Sequence, residues 1–281
     1  MVNALMAKHK SRKSAAHTGP HRDKNRPDSN ARRHRAQPAG GDNGIWIYGR
    51  HAALAAIANE NRVVSRVLVT KTVAEEFADD LPHDCTELVD RDIISELLNP
   101  GEVHQGIAVL AAGLPDIDLA DICDATANLA SACVVVLDQA TDPRNVGAVV
   151  RSAAAFGAAA VVVHDRHAPP ARGALAKAAS GALERIPLVE VGNLARALSD
   201  LKDAGFWCLG FDGDADESLS ACDMPARVAL VFGAEGSGMR RLTGENCDLL
   251  ARIPMDPEIA SLNLANAAAI GLYEWRRRLV E

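Results

Sequence analysis

Residues 227–271 read RVALVFGAEGSGMRRLTGENCDLLARIPMDPEIASLNLANAAAIG. The apolar run VALVFG (228–233) has the composition of a buried strand and empties into a glycine-bearing loop. A second short strand, LLARIP (249–254), runs on into Ile-Pro-Met. A third loop, Ala-Ser-Leu-Asn, opens a long apolar helix over 261–280. Three backbone-rich loops separated by strands can converge on one small ligand. One partner stretch lies far upstream, LDQATDPRNVGAVVRSAAAFG at 137–157.

Around these stretches strands and helices alternate. CVVVLD (133–138), AAVVVH (159–164), IPLVEV (186–191) and FWCLGF (206–211) read as strands, with helices over 145–156, 172–182 and 193–204 between or after them. That alternation predicts an α/β domain over 132–281, with a mostly parallel sheet covered on both faces. Upstream, IWIYG, VSRVLVT, CTELVD and GIAVLAA are strands, with helical stretches between them, of a smaller α/β unit over 44–112. Residues 113–131, acidic and helix-prone, are expected to connect the two.

Residues 1–43 carry Lys, Arg, His, Pro and Gly with few large apolar side chains, so they are expected to be a disordered tail. Ten basic and two acidic residues give positions 1–40 a charge of +8; the other 20 basic and 35 acidic residues give the remainder −15. A basic tail on an acidic body suggests a polyanionic partner such as nucleic acid, and a solubilising tail is the competing reading. No apolar run is long enough for a membrane span. Six cysteines without a C-x-x-C pair suit a reducing, cytoplasmic compartment. The histidines lack ligand spacing, so no metal site is expected.

Asp142-Pro143 makes a turn, and Asn145 is placed to cap the helix that follows. Val146, Val149, Val150, Ala153 and Ala154 define its buried face, leaving Arg151 about 140° away from Val146. Arg151 is a solvated surface arginine, or it contacts phosphate or ribose. In FGAEGSGM the glycines let the backbone approach a ligand. Glu235 at that bend needs a donor, which Asn145 or Arg151 supplies. Ser261 is a candidate cap of the last helix, and Asn263 brings an amide to its first turn. There is no Rossmann, Walker or G-x-S-x-G fingerprint.

The three motifs together, N-x5-R after D-P, GAEG-x-G, and IPM followed by SLN, resemble the SpoU/TrmH family of RNA 2′-O-ribose methyltransferases, of the SPOUT class. The likeness covers 132–280. YG-x-HA at 48–52 and VHQGI at 103–107 resemble that family's small substrate-binding domain, of L30e-like fold. Within the family the chain looks most like members that methylate a guanosine of 23S rRNA. Enzymes acting on tRNA, and an RNA-binding assembly protein without turnover, stand as alternatives.

The resemblance implies a trefoil-knotted catalytic domain and S-adenosylmethionine as cofactor. It also implies an RNA partner and a homodimer packed through the knot region. By position it implies catalytic roles for Arg151, Asn145, Glu235, Ser261 and Asn263. It implies cofactor contacts from Gly233, Ile253 and Leu262, with Met255 nearby. After the Ser-Leu-Asn core this chain reads Leu-Ala-Asn-Ala, where members often read Val-Ser-Val-Ala.

Overall fold

The computed structural model describes residues 44–165, 173–256, 258–259 and 261–280. The basic tail expected over 1–43 lies outside the described residues.

The first unit is a four-stranded sheet in the order β1-β4-β2-β3, from β1 (Ile45–Tyr48), β2 (Val64–Val69), β3 (Thr86–Leu88) and β4 (Ile107–Ala111). Between them run α1 (Arg50–Ala58), α2 (Lys71–Glu76) and α3 (Arg91–Leu97). Central β4 is buried at all five positions and pairs antiparallel with both β1 and β2.

The second unit has seven strands, all paired in parallel, in the order β7-β6-β5-β10-β8-β11-β9. They are β5 (Ala132–Leu137), β6 (Ala160–His164), β7 (Leu188–Val191), β8 (Trp207–Phe211), β9 (Glu217–Ser218), β10 (Arg227–Phe232) and β11 (Leu249–Arg252). Alternation within one strand feeds two layers. Cys133, Val135 and Leu137 of β5 pack into one core, Val134 and Val136 into the other. The first core is covered by α5 (Pro143–Phe156), α6 (Gly173–Ala179) and α9 (Leu264–Arg278). The second is covered by α4 (Leu119–Thr126) and α7 (Leu194–Asp203). The short α8 (Arg241–Glu245) precedes β11.

Part of the expected connection over 113–131 is thus built into the second unit, since Leu119 and Ile122 of α4 are core residues. The two units also share apolar packing. Ile47, Ala53 and Val109 of the first belong to the same continuous core as Val149, Leu175 and Ala179 of the second. The contact is close: a Cβ added at Gly173 would lie 2.3 Å from Tyr48 Cε1, and one at Gly181 would lie 2.5 Å from Ala55 Cβ.

The buried face of α5 follows its periodicity, with Val146, Val149, Val150 and Ala153 inaccessible and Ala154, at its edge, partly buried. Its cap differs. Asp142, with Pro143 at the first helical position, accepts from Arg144 N at 2.9 Å, and Asn145 lies inside the first turn. The cap of α9 also differs. Asn263, not Ser261, caps it, its side-chain oxygen accepting from Ala265 N at 2.9 Å and Asn266 N at 3.4 Å. Leu264, Ala268, Leu272 and Trp275 of α9 are buried, whereas Ile270 on the same helix is 38% exposed. Gly271 lets α9 lie on the sheet, because a Cβ there would meet Phe211 Cζ at 2.7 Å.

All six cysteines are free. Burial pushes the thiols of Cys208 and Cys247 up to about 12, which keeps them protonated and inert at neutral pH. Among the described residues no helix is long and apolar enough to cross a membrane.

Candidate active site

The site forms where the loops after β5, β10 and β11 meet. β10 lies directly beside β5, and β11 lies two places from β10 in the sheet. After β11 the chain returns to the loop that follows β10, and α9 then packs against α5 and β10. The three sequence motifs become neighbours by that path.

Glu235 is the hub. Its Oε1 accepts from Asn145 Nδ2 at 2.8 Å, from Asn263 Nδ2 at 2.7 Å and from the Leu264 backbone N–H at 3.2 Å. Asn263 Nδ2 also donates to Asn145 Oδ1 at 3.0 Å, so the three side chains close a ring. The ring fixes which end of each amide points where. Asn263 has its oxygen committed to the helix cap, so its NH2 must face Glu235 and Asn145. A carboxylate receiving these donors makes charge-assisted bonds, stronger than those of neutral partners. Of the two candidate donors for Glu235, Asn145 donates and Arg151 does not; Asn263 is a second side-chain donor that the sequence reading did not name.

Arg151 is not in the ring. Six residues beyond Asn145, it lies roughly 240° round α5 and about 9 Å along it. Its side chain is exposed, and Nη1 donates to Ser180 Oγ at 3.4 Å. Ser261 is exposed on the loop before the cap.

The loop after β10 is a closed cradle. Ala234 and Gly238 exchange both backbone hydrogen bonds at 3.0 Å. Gly233 lies beneath the closure, where an added Cβ would lie 2.1 Å from Gly238 C and 2.2 Å from Met239 N. Gly236 and Gly238 have φ of 79° and 65°, the left-handed region that only glycine enters freely. Ile253, Met255 and Leu262, on the loop between β11 and α9, are half-buried.

Two supporting residues escaped sequence reasoning. Asp138, fully buried at the end of β5, accepts from Arg240 N at 2.8 Å and Arg240 Nε at 2.7 Å. Its own N–H donates to Phe232 O at 2.8 Å. It thereby ties the loop after β5 to the far end of the glycine loop. The available signal was an acid terminating a continuous apolar strand, CVVVLD.

A parallel sheet with an Asn–Glu–Asn ring at the ends of its strands, beside a glycine cradle, is an α/β fold of the SpoU methyltransferase class. The chain belongs to the SpoU rRNA methylase family, which matches residues 132–273. Residues 46–116 match the RNA 2′-O ribose methyltransferase substrate-binding domain. The chain is 38% identical over 237 residues to the 23S rRNA (guanosine-2′-O-)-methyltransferase RlmB of Xylella fastidiosa strain 9a5c, covering 82% of this chain and 94% of that one. It is 37% identical over 234 residues to RlmB of Escherichia coli K12, covering 81% and 96%. In fold it is similar to the SpoU methyltransferase AviRb of Streptomyces viridochromogenes in complex with AdoMet, with a TM-score of 0.71 at 24% identity, covering 85% and 91%.

Proposed function

We propose that this protein transfers a methyl group from S-adenosylmethionine to the ribose 2′-OH of a guanosine in 23S rRNA. The observation that carries the reading is the intact Asn145–Glu235–Asn263 ring in a chain of this family. The relatives' activity and the substrate-binding match over 46–116 support the choice of substrate.

The cofactor fits the cradle. The loop at Gly233–Gly238 offers close backbone and no room for a side chain at Gly233. Half-buried Ile253, Met255 and Leu262 offer apolar contacts for an adenine or for the methylenes of the methionine moiety. When bound, S-adenosylmethionine supplies an electrophilic methyl on a sulfonium centre. The protein then has to hold the ribose in line with that methyl and let the 2′-OH lose its proton. We assign Arg151 to the target phosphate and to polarising the 2′-OH. Guanidinium stays protonated, so it acts as a donor and not as a base. The proton leaves to phosphate or water. Asn145, Glu235, Ser261 and Asn263 orient the ribose.

We also assign a homodimer through the knot region with α9 contributing, supported by exposed Ile270 and by Tyr273, which is 55% exposed on the same helix. The basic tail and the small domain recruit RNA through phosphate contacts, and the protein works in the cytoplasm.

The decisive test offers labelled S-adenosylmethionine with unmodified 23S rRNA and tRNA side by side, and maps the labelled nucleotide. Label in a 2′-O-methylguanosine of 23S rRNA is expected. Label confined to tRNA, or cofactor binding without label in either RNA, overturns the assignment.

Two variants probe the residue roles. Arg151→Ala is expected to lower turnover by about 10²-fold or more while S-adenosylmethionine affinity, read by calorimetry, stays within about twofold. Loss of cofactor affinity instead would move Arg151 into the cofactor pocket. Gly233→Ala is expected to do the reverse. Its methyl collides with loop backbone, so cofactor affinity falls at least about tenfold because the cradle must open. Unchanged affinity would exclude the glycine loop as the cradle.

A further inference from the structure

The turn after α6 touches both the small domain and the arginine assigned to the target phosphate. Ser180 and Gly181 form it, with φ of 50° and 84°. Among the described residues only three non-glycines have positive φ, and Ser180 is one. A serine held there is strained, and such strain persists only where the surroundings fix it.

Both sides of this turn are fixed. Gly181 sits against the small domain, where a Cβ would lie 2.5 Å from Ala55 Cβ and 3.1 Å from His51 O. Three residues on, Glu184 accepts from Asn59 Nδ2 at 2.6 Å and from Arg62 Nη2 at 2.5 Å, both on the small domain. On the other side Ser180 Oγ donates to Lys177 O at 3.4 Å and accepts from Arg151 Nη1 at 3.4 Å. The hydroxyl meets a guanidinium that is otherwise exposed on the outer face of α5. A long, flexible side chain in water samples many rotamers, and one fixed acceptor narrows them.

We infer that Ser180 is a positioning residue for Arg151, held in place by a turn whose other face seats the small substrate-binding domain. The inference rests on the reading of Arg151 given above. It gives a physical reason for a serine at a position whose backbone favours glycine. Docking of the small domain and placement of the phosphate-binding arginine then share five consecutive residues, 180–184.

The test uses the full chain with its RNA and S-adenosylmethionine. Ser180→Gly suits the left-handed backbone and removes the hydroxyl together with its Cβ. Ser180→Asn also tolerates that backbone and returns an acceptor oxygen. Single-turnover rates are expected to fall about tenfold in Ser180→Gly, with cofactor affinity within about twofold, and to recover to within about threefold in Ser180→Asn. In an Arg151→Lys background the Ser180→Gly effect is expected to shrink below about twofold, because its target has gone. A Ser180→Gly enzyme of unchanged rate overturns the inference, as does an undiminished effect in the Arg151→Lys background. Full turnover in Arg151→Ala would instead overturn the Arg151 reading itself, so the two failures are separable.

Discussion

Glu235→Ala is expected to lower the rate of methyl transfer by about 10²-fold or more, with little change in melting temperature. One oxygen of Glu235 collects three donors within 3.2 Å. Removing it leaves Asn145 Nδ2 without its carboxylate and Asn263 Nδ2 with only Asn145 Oδ1. Asn263 remains tied to the helix through its cap, but of the ring contacts Asn145 then keeps only the one its Oδ1 accepts from Asn263, so its amide is less firmly held. Misplacement of reacting groups by about 1 Å is enough to cost a factor of this size. Stability changes less, because the side chain is exposed and its neighbours can be re-solvated. A shift within about 2 °C is expected.

Glu235→Gln separates geometry from charge. Glutamine has the same shape and one acceptor oxygen, which can take the place of Oε1, while its NH2 replaces Oε2. If the ring serves only to orient amides, the loss in Glu235→Gln stays within about tenfold. If the second carboxylate oxygen takes part in proton movement, the glutamine variant falls as far as alanine, and its residual rate loses the pH dependence of the parent. Wild-type turnover in Glu235→Ala would remove the ring from the active site altogether.

Sequence patterns reached the parts of this molecule that depend on neighbours along the chain. The 3.6-residue spacing of Val146, Val149, Val150 and Ala153 marked the buried face of α5, since a helix displays its own period. Continuous apolar runs marked β5, β6 and β10, because strands covered on both faces have no polar side. Caps were misplaced by two or three residues, each time where two cap-competent side chains stand close together. Asp142 and Asn145 both suit the start of α5, and Pro143 decides for Asp142. Ser261 and Asn263 both suit α9, and the decision falls to Asn263, whose amide also reaches Glu235. Two-residue β9 carries too little sequence to be seen. Apart from Asn145 and Glu235, pairs joined only by the tertiary fold left no trace. Asp138 and Arg240 are 102 positions apart, and nothing local marks either as the other's partner. The same holds for the ion pair between the two units, whose removal has the largest expected effect on stability.

Arg62→Ala is expected to destabilise the protein by about 3–5 kcal/mol, the cost of leaving a buried charge unpaired. Arg62 and Glu184 are only 7% and 8% exposed. They meet as a fork, Nη2 to Oε1 at 2.5 Å and Nε to Oε2 at 3.2 Å, and Arg62 Nη1 also donates to Ala112 O at 2.7 Å. Truncation leaves the Glu184 carboxylate with Asn59 as its remaining partner among these, and leaves the Ala112 carbonyl without the guanidinium. For a chain of this size the loss corresponds to a fall in melting temperature on the order of 10 °C. The pair joins the units across a core that is continuous through both, so heat should unfold them together in one transition. The double variant Arg62→Met with Glu184→Leu tests the cause. Filling the site with apolar volume removes both charges at once, and stability is expected to return close to that of the parent. A double variant as unstable as Arg62→Ala would mean that the fork itself, and not the cost of an orphaned carboxylate, holds the small domain in place. An Arg62→Ala melting within about 2 °C of the parent would mean that the shared apolar core alone does so.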